Sequence, residues 1–308
     1  MLHVLAGGHV SGNSYRIDKN NRLASILLAP AVVVVGFVSL YPLAYSGYLS
    51  LFNYRLTRLD EMGFDPTANI GKLLADSLFA KSLGNTLVVT AFTVGIGLVL
   101  GMVFALVLDQ LTERFEKLRG ILIMPWVIPG IVVGYLFMYI FDGNVGVANY
   151  LLQTMGFIDA KIPWLMRGDT AMAAIIVANV WNQTPFYTLM FAAALKGIPV
   201  SVKEAAYVEG ASRASEFFRV TLPQIKTVVV ITSLLEIIRN FNNFPIIFTM
   251  TGGGPAHETL TSVLYIYKVA FDQYDMGYAS FIGVIWVAIL MGLAILYIRL
   301  LNPKEARS

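Results

Sequence analysis

The sequence contains no cysteine and few charged side chains, and both shortages narrow what the chain can be. A cysteine count of 0 in 308 residues excludes disulfides, thiolate zinc sites and cysteine nucleophiles. Only 13% of the residues are charged, whereas soluble domains average about 25%. The net charge of +3 is small and dispersed, so we expect no nucleic acid partner. The histidines (His3, His9 and His257) lack metal-ligand spacing, so no metal site is predicted.

Hydrophobic residues make up 57% of the chain and are concentrated in runs long enough to cross a membrane. A bilayer-spanning helix needs about 20 predominantly apolar residues. Six segments qualify, although polar residues interrupt the fourth and the fifth: 25–52, 86–108, 121–141, 171–195, 228–249 and 277–301. The sequence therefore predicts an all-α integral membrane protein with six transmembrane helices. The predicted parts are an N-terminal tail, a transmembrane domain and a C-terminal tail: 1–23, 24–301 and 302–308.

Cationic residues are divided unevenly between the two sides of this predicted bundle. If the N-terminus lies in the cytoplasm, the inner segments hold 14 Lys and Arg side chains and the outer segments hold 7. Cationic residues that flank transmembrane helices are retained in the cytoplasm. This bias predicts that both the N-terminus and the C-terminus are cytoplasmic, and that the longest inner loop is 196–226.

Polar side chains recur at helical spacing within the fourth and fifth predicted spans. The fourth span carries a set at i, i+3, i+4 and i+7: Asn179, Asn182, Gln183 and Phe186. The fifth span repeats that spacing: Glu236, Arg239, Asn240 and Asn243. Each set shares one helix face. Because a charge at the centre of a span costs about 2.5–3.5 kcal/mol, these residues are expected to face a partner or a water-filled cavity.

Two interpretations of the polar sets remain open from the residues alone. One is adhesion between helices through side-chain hydrogen bonds, with Glu236 and Arg239 neutralising each other as an i,i+3 ion pair. The other is a polar substrate path between spans four and five, which the repeated pattern and the nearby aromatic residues Phe186 and Phe241 favour. Amides offer donors and acceptors to hydroxyl-rich solutes, and aromatic rings cover the C–H face of a sugar. The cargo would be a neutral sugar or polyol, or an anionic one paired with Arg239.

The 196–226 loop carries signals for short helices. Ser201 and Glu204 have the spacing of a capping box, and Gly210 is predicted to end or bend that helix. A second helical stretch is predicted between Ser212 and Val220, before the chain enters the fifth span. An amphipathic connector lying on lipid headgroups would also fit these features.

The loop resembles the EAA loop of ABC importer permeases through Glu204-Ala205-Ala206, Gly210 and Leu222-Pro223. Segments 241–255 and 264–280, together with the first span, resemble the maltose-type carbohydrate branch of that family. The resemblance covers most of residues 24–301 and implies a six-helix ABC type I importer permease in a bacterial plasma (inner) membrane. It implies a coupling loop that docks on an ATPase subunit through these positions: Glu204, Ala205, Ala206, Gly210, Ala211, Phe217, Leu222 and Pro223. It also places both polar sets where maltose-type permeases line their sugar site.

The resemblance further implies partners and the location of the ATP chemistry. The expected partners are a second homologous permease, two copies of an ABC ATPase, an extracytoplasmic sugar-binding protein and the lipid bilayer. The sequence contains no GxxxxGK[ST] phosphate-binding loop, so ATP and Mg²⁺ are expected on the ATPase subunits, with no cofactor on this chain and no enzymatic activity of its own. Glu236 and Arg239 replace neutral residues of the maltose permease, so the cargo need not be maltose.

Two rival classes make different demands on the sequence. A secondary transporter would use Glu236 and Arg239 as a proton relay, and its uptake would depend on an ion gradient. An intramembrane enzyme would need a catalytic constellation, yet the sequence contains neither HExxH nor GxSxG. The permease is the favoured interpretation.

Overall fold

The computed structural model describes residues 14–110 and 116–301, a part of the chain that is mostly helical. Within it, four helices are long and apolar enough to cross a membrane: Ser25–Leu49, Ser77–Asp109, Arg213–Phe241 and Met276–Tyr297. Two bent pairs also qualify when each is taken together: Gly120–Val127 with Gly130–Ile140, bent by 99°, and Gly168–Lys196 with Val200–Val208, bent by 75°. The described residues thus contain four candidate spans, or up to six if each bent pair is one span.

The first span is a helix with one irregular stretch. Helix α1 (Ser14–Val35) leads through a π-helical stretch at Gly36–Leu40 into α2 (Tyr41–Leu49). Pro42 follows this stretch, and a proline cannot supply the N–H that a regular helix needs. Helix α1 begins within the segment predicted as the N-terminal tail. The remainder of that tail and the predicted tail at 302–308 lie outside the described residues.

A small hairpin follows α2 and marks what we call the hairpin end of the bundle. Strand β1 (Phe52–Asn53) pairs antiparallel with β2 (Gly63–Phe64), on either side of a 3-10 turn at Leu59–Glu61. Helix α3 (Ala68–Leu74) is tied to it by Asn69, whose buried side-chain amide donates to the carbonyls of Ser50 (2.8 Å) and Phe52 (3.1 Å).

The third predicted span is broken. After the long helix α4 (Ser77–Gln110), α5 (Glu116–Val127) and α6 (Gly130–Ile140) meet at an angle of 99°. Pro129 lies at the break, where it has no N–H for the carbonyl four residues earlier. The segment predicted as the third span, 121–141, is therefore two helices, which form a candidate span only when they are taken together.

The fourth predicted span is a continuous helix. Helix α7 (Val147–Thr154) and a 3-10 turn at Trp164–Met166 precede α8 (Gly168–Lys196). Helix α8 continues without a break through Pro185 and through its polar residues. The chain then turns by 75° into α9 (Val200–Val208).

The fifth predicted span is also broken, while the sixth is confirmed as a helix. Helix α10 (Arg213–Glu216) and a π-helical stretch at Phe217–Thr221 lead into α11 (Leu222–Phe241). Residues 242–244 leave the helix, so the prediction of one helix over 228–249 is wrong. The remaining elements are α12 (Pro245–Thr251), α13 (Ser262–Phe271) and α14 (Met276–Leu301).

Within the described residues, α4 and α8 make the most extensive contact between two helices. Gly97 and Gly101 of α4 lie against Tyr187 of α8, and a Cβ on Gly97 would come within 2.6 Å of the Tyr187 ring. Small residues of this kind let two membrane helices approach closely. The larger of two apolar clusters joins α8 to α6, α12, α13 and α14. The second apolar cluster continues from Tyr187 through Phe191 and Leu195 toward α9, at what we call the loop end.

Candidate functional site

The amides predicted to share one face of α8 and α11 bond to one another across the two helices. Gln183 donates to Asn240 Oδ1 (3.2 Å), and Asn240 Nδ2 donates to Gln183 Oε1 (2.7 Å). Asn179 Oδ1 accepts from Gln183 Nε2 (3.4 Å) and from Asn243. Asn179, Gln183 and Asn240 are buried. For these amides, the contacts are those that the interpretation of helix adhesion predicts.

Asn243 reaches this cluster by a different route from the predicted one. Helix α11 ends at Phe241, and Asn243 lies in the turn before α12. Its amide donates to the side chain of Asn179. The prediction that four residues of the fifth span share one continuous helix face is therefore correct only as far as Asn240.

Glu236 and Arg239 form the i,i+3 ion pair that the interpretation of helix adhesion predicts, but their environments differ. Arg239 Nη1 lies 3.4 Å from Glu236 Oε1, and the exposed fraction is 40% for the Arg239 side chain and 2% for that of Glu236. Glu236 Oε2 is buried and has no hydrogen-bond partner within the described residues. A single long contact leaves most of the guanidinium donors of Arg239 free for another acceptor.

Asn182 compensates for the break between α5 and α6. Its Nδ2 donates to the carbonyl of Pro125 (2.7 Å). In a regular helix this carbonyl would accept from the residue four positions later, which is Pro129 and has no N–H. A carbonyl freed by proline in a membrane helix needs such a replacement donor, so Asn182 stabilises the broken geometry.

A polar cavity of about 210 Å³ lies where the two helix breaks meet. Its wall combines the α5–α6 break, α8 and the α11–α12 break: Ile128, Gly130, Asn182, Gln183, Arg239, Asn242, Asn243, Pro245 and Ile246. Gly130 keeps the breaks in contact, because a Cβ there would lie 3.2 Å from Pro245 Cβ. Broken helices within a membrane are tolerated where the freed backbone is buried in protein or lines a cavity.

The structure places four of the predicted path residues on this wall and four elsewhere. On the wall are Asn182, Gln183, Arg239 and Asn243. Away from it, within the described residues, are Asn179, Phe186, Glu236 and Asn240. Phe186 is half-buried and stacks on Trp126 of α5, with ring centroids 5.6 Å apart. The wall residues from the breaks were not predicted, although the prolines at positions 125 and 129 are a signal in the sequence for the α5–α6 break.

At the loop end, α9 forms the helix predicted for the EAA-like loop, but with a different start. Pro199 precedes the helix, and no side chain caps its N-terminus. The predicted capping box of Ser201 and Glu204 is therefore wrong, because the helix starts one residue before Ser201. Ser212, in contrast, caps α10 by accepting from the Ser215 amide (3.3 Å).

Gly210 ends α9 in the manner that its spacing predicts. Its φ is +77°, a left-handed conformation. The Gly210 amide donates to the Tyr207 carbonyl and the Ala211 amide to the Ala206 carbonyl, each at 3.0 Å. These two bonds define a Schellman motif, in which glycine is preferred because a Cβ would strain the left-handed backbone. The four-residue spacing between Ala206 and Gly210 in the EAA-like loop is thus the spacing that this motif needs at the end of α9.

The predicted coupling residues divide into a solvent-facing set and a packed set. Glu204, Ala205, Gly210 and Pro223 are exposed, Ala206 is buried, and the rest are half-buried: Ala211, Phe217 and Leu222. A group of large apolar side chains, which was not predicted, is exposed beside them. These are Val200 (68%), Tyr207 (83%), Val208 (84%) and Phe218 (65%).

Comparisons with known proteins extend over almost the whole chain. The chain is 33% identical to the sulfoquinovosyl glycerol transport system permease protein SmoG of Agrobacterium fabrum, over 94% of each protein. It is 30% identical to the trehalose/maltose transport system permease protein MalF of Thermococcus litoralis, over 90% of this chain and 93% of that protein.

The fold is also found in a solved transporter. A chain in the crystal structure of a bacterial ABC transporter involved in the import of the acidic polysaccharide alginate superposes with a TM-score of 0.78. The superposition covers 95% of this chain and 99% of that chain at 18% sequence identity.

The family of binding-protein-dependent transport system inner membrane components matches residues 97–307. This match includes α8, the EAA-like loop and the cavity, and it agrees with the resemblance drawn from the sequence. The chain therefore belongs to that family, as an ABC transporter permease subunit and not an enzyme.

Proposed function

We propose that this chain forms one half of the path by which an ABC importer moves a sugar or sugar derivative into the cell. The supporting observation is the cavity between the two helix breaks, whose wall carries four amides from α8 and the α11–α12 turn together with Arg239. Amides pair with hydroxyl groups as donors and as acceptors. The relatives SmoG and MalF are named for transport of sulfoquinovosyl glycerol and of trehalose/maltose.

The cavity is small for a complete binding site. At about 210 Å³ it falls below the 300–1,000 Å³ that is typical of small-molecule pockets. A second, homologous permease subunit would supply the opposite wall. In this arrangement six helices cross the bacterial inner membrane with both termini in the cytoplasm, and a binding protein delivers cargo at the hairpin end.

The loop end would couple the path to ATP hydrolysis on partner subunits. Val200, Tyr207, Val208 and Phe218 expose apolar surface around α9, which suits insertion into a groove on an ATPase that holds ATP and Mg²⁺. ATP drives the bundle only if the ATPase binds two permease conformations with different affinity. Membership of the permease family does not favour the alternative of a Glu236–Arg239 proton relay.

Substitutions in the exposed part of α9 test this proposal. Glu204→Lys and Tyr207→Glu should each reduce ATP-driven uptake of a panel of labelled sugars into membrane vesicles by at least about tenfold. The reason is that a charge buried in an interface without a partner costs several kcal/mol. Glu61→Lys, at the exposed hairpin end, is the matched control and should transport normally.

Two further measurements separate the possible failures. Copurification of the ATPase with the tagged chain reports docking directly, and it should fall for the α9 variants but not for Glu61→Lys. Uptake should collapse when vesicles are depleted of ATP and persist when an ionophore removes the proton gradient. Normal uptake by the α9 variants, or dependence on the proton gradient alone, would overturn the proposal.

A further inference from the structure

We infer that an ion pair between Lys203 and Asp109 holds α9, the helix of the EAA-like loop, against the bundle. The ion pair thereby fixes the angle at which α9 meets α8. This inference rests on the proposed function, because it assigns a role to residues behind the surface that would face the ATPase. We call this ion pair the brace. Both are positioning residues that lie away from the polar cavity between the two helix breaks.

The brace connects two elements that are remote in sequence. Lys203 Nζ lies 2.9 Å from Asp109 Oδ2, and the two residues are 94 positions apart. Asp109 stands one residue before the end of α4, and Lys203 lies in the middle of α9. Their side chains are 32% and 24% exposed, so the pair is screened less by solvent than a fully exposed one.

Within the described residues, the brace is the only side-chain hydrogen bond or ion pair that joins α9 to the bundle. Apolar side chains of α9 also pack inward: Ala206 is buried, and Val202 packs at the edge of the second apolar cluster. Apolar packing of this kind is non-directional and allows sliding, whereas an ion pair with a direct hydrogen bond fixes a point on each element.

The covalent connection between α8 and α9 is a bend of only three residues. Residues 197–199 join the two helices at 75°. A force applied to α9 by a partner would change this angle before it moved α8. The brace adds a third connection, because α4 packs extensively against α8 and is tied near its C-terminal end to α9. Motion of α9 would then be passed to α4 and α8 together.

Open space around the brace would allow a second arrangement. A cavity of about 510 Å³ lies beside it, with Arg213 and Glu216 in its wall. Asp109 also lines a separate cavity of about 230 Å³, together with Lys196. If α9 moved away, Asp109 would still have a cation in the wall of each neighbouring cavity. Two discrete arrangements of one contact are what a conformational switch requires.

A charge-exchange cycle on the complete transporter tests the brace. The variants are Asp109→Lys, Lys203→Asp and the double exchange, each purified with its ATPase partner and reconstituted in liposomes. The rate of ATP hydrolysis with Mg-ATP is the readout. Each single reversal should move this rate by about threefold or more toward that of the ATPase alone, in line with typical coupling between contacting residues. The double exchange should restore it to within about twofold.

Controls make each outcome decisive. Asp109→Asn and Lys203→Gln remove charge without reversing it, and should give smaller shifts in the same direction even if the reversal variants fail to assemble. Exchange of Arg58 and Glu61, an ion pair at the hairpin end (3.3 Å), should leave hydrolysis unchanged.

The brace would be overturned if the effects of the two reversals on the rate of ATP hydrolysis simply added in the double exchange. Unchanged hydrolysis in the neutral variants would also overturn it. Failure of the unaltered chain to copurify with its ATPase would instead overturn the proposed function, so the two failures are distinguishable.

Discussion

Arg239 is the residue in the cavity wall whose chemistry says most about the cargo. The wall otherwise consists of amides and apolar groups, and the guanidinium has one long contact to Glu236. An anionic cargo would gain charge-assisted hydrogen bonds from this side chain, whereas a neutral sugar would meet an ion pair that is already balanced. The distinction is open to a direct test.

We expect Arg239→Gln to reduce uptake of an anionic glycoside by about 10- to 100-fold, since a hydrogen bond to a charged group contributes about 1.5–3 kcal/mol. Uptake of a neutral sugar should fall only in proportion to any loss of assembled transporter, since Glu236 then lacks its cationic partner. The measurement is vesicle uptake of a uronate or sulfonated glycoside beside its neutral counterpart. Arg58→Gln is the matched control, because Arg58 also pairs with a glutamate three residues on. Equal uptake of both cargos by the Arg239 variant would assign Arg239 to a purely structural ion pair.

The sequence predicted that the polar residues of α8 and α11 would gather, but not how they would divide. Spacing at i, i+3 and i+4 is enough to place Asn179 and Gln183 on one face. Whether an amide bonds to another amide or faces the cavity depends on the register of the partner helix. Asn182 illustrates the limit, because its partner is a carbonyl that became free at a break in a third helix.

At the scale of the elements, glycines of α4 set how closely it approaches α8. A Cβ on Gly101 would overlap Tyr187 and lie 3.2 Å from the Thr188 amide nitrogen, while one on Gly95 would meet nothing within 4 Å. The sequence shows both glycines as ordinary small membrane residues. Only the pairing of the helices reveals which of them carries the contact.

Gly101→Ala should therefore destabilise the protein, and Gly95→Ala should not. Overpacking of a close contact costs about 1–3 kcal/mol, whereas alanine in place of an unobstructed helical glycine gains up to about 1 kcal/mol of helix propensity. The melting temperature of the detergent-solubilised complex should fall for Gly101→Ala and stay constant or rise for Gly95→Ala. Equal melting of the two variants would contradict the close approach of α4 to α8.

Helix breaks mark the other limit of prediction for the elements. Apolar composition alone predicted helices over 121–141 and 228–249, because both runs are long enough to span a bilayer. The structure breaks them at Pro129 and before Pro245. Proline is tolerated inside membrane helices, and α8 continues through Pro185. Which proline breaks a helix therefore depends on the neighbouring groups that satisfy the freed backbone.

At the scale of the whole molecule, the hairpin end is held together by contacts that no local pattern reveals. Asp275, just before α14, accepts from Arg55 Nε (2.9 Å) and from Lys72 Nζ (2.8 Å). These partners lie 220 and 203 positions away in the sequence. The family resemblance could predict the bundle and the loop, but pairing across such distances follows only from the folded topology.

The environment of Asp275 predicts how this end responds to acid. Burial alone would raise the pKa of Asp275, but hydrogen bonds from Lys72, the Tyr278 amide and Arg55 together outweigh it, and the pKa is lowered. A carboxyl group with a lowered pKa in the folded state stabilises the protein above its unfolded pKa of about 3.9. This stabilisation is lost as the pH falls through the lower folded pKa.

Asp275→Asn should accordingly lower the stability of the protein at pH 7 and reduce its dependence on pH. The variant keeps the shape of the side chain but loses two charge-assisted hydrogen bonds, at a cost of about 1–3 kcal/mol. Melting temperatures between pH 2.5 and 7 should show the native protein and the variant converging as the pH falls below the unfolded pKa. Asp65→Asn is the control, because Asp65 is an exposed carboxylate held by Thr67 and Ala68 within its own turn and does not connect remote elements. If the melting difference between native protein and Asp275→Asn stayed constant down to pH 2.5, the carboxylate of Asp275 would not be the charge that fastens the hairpin to α14.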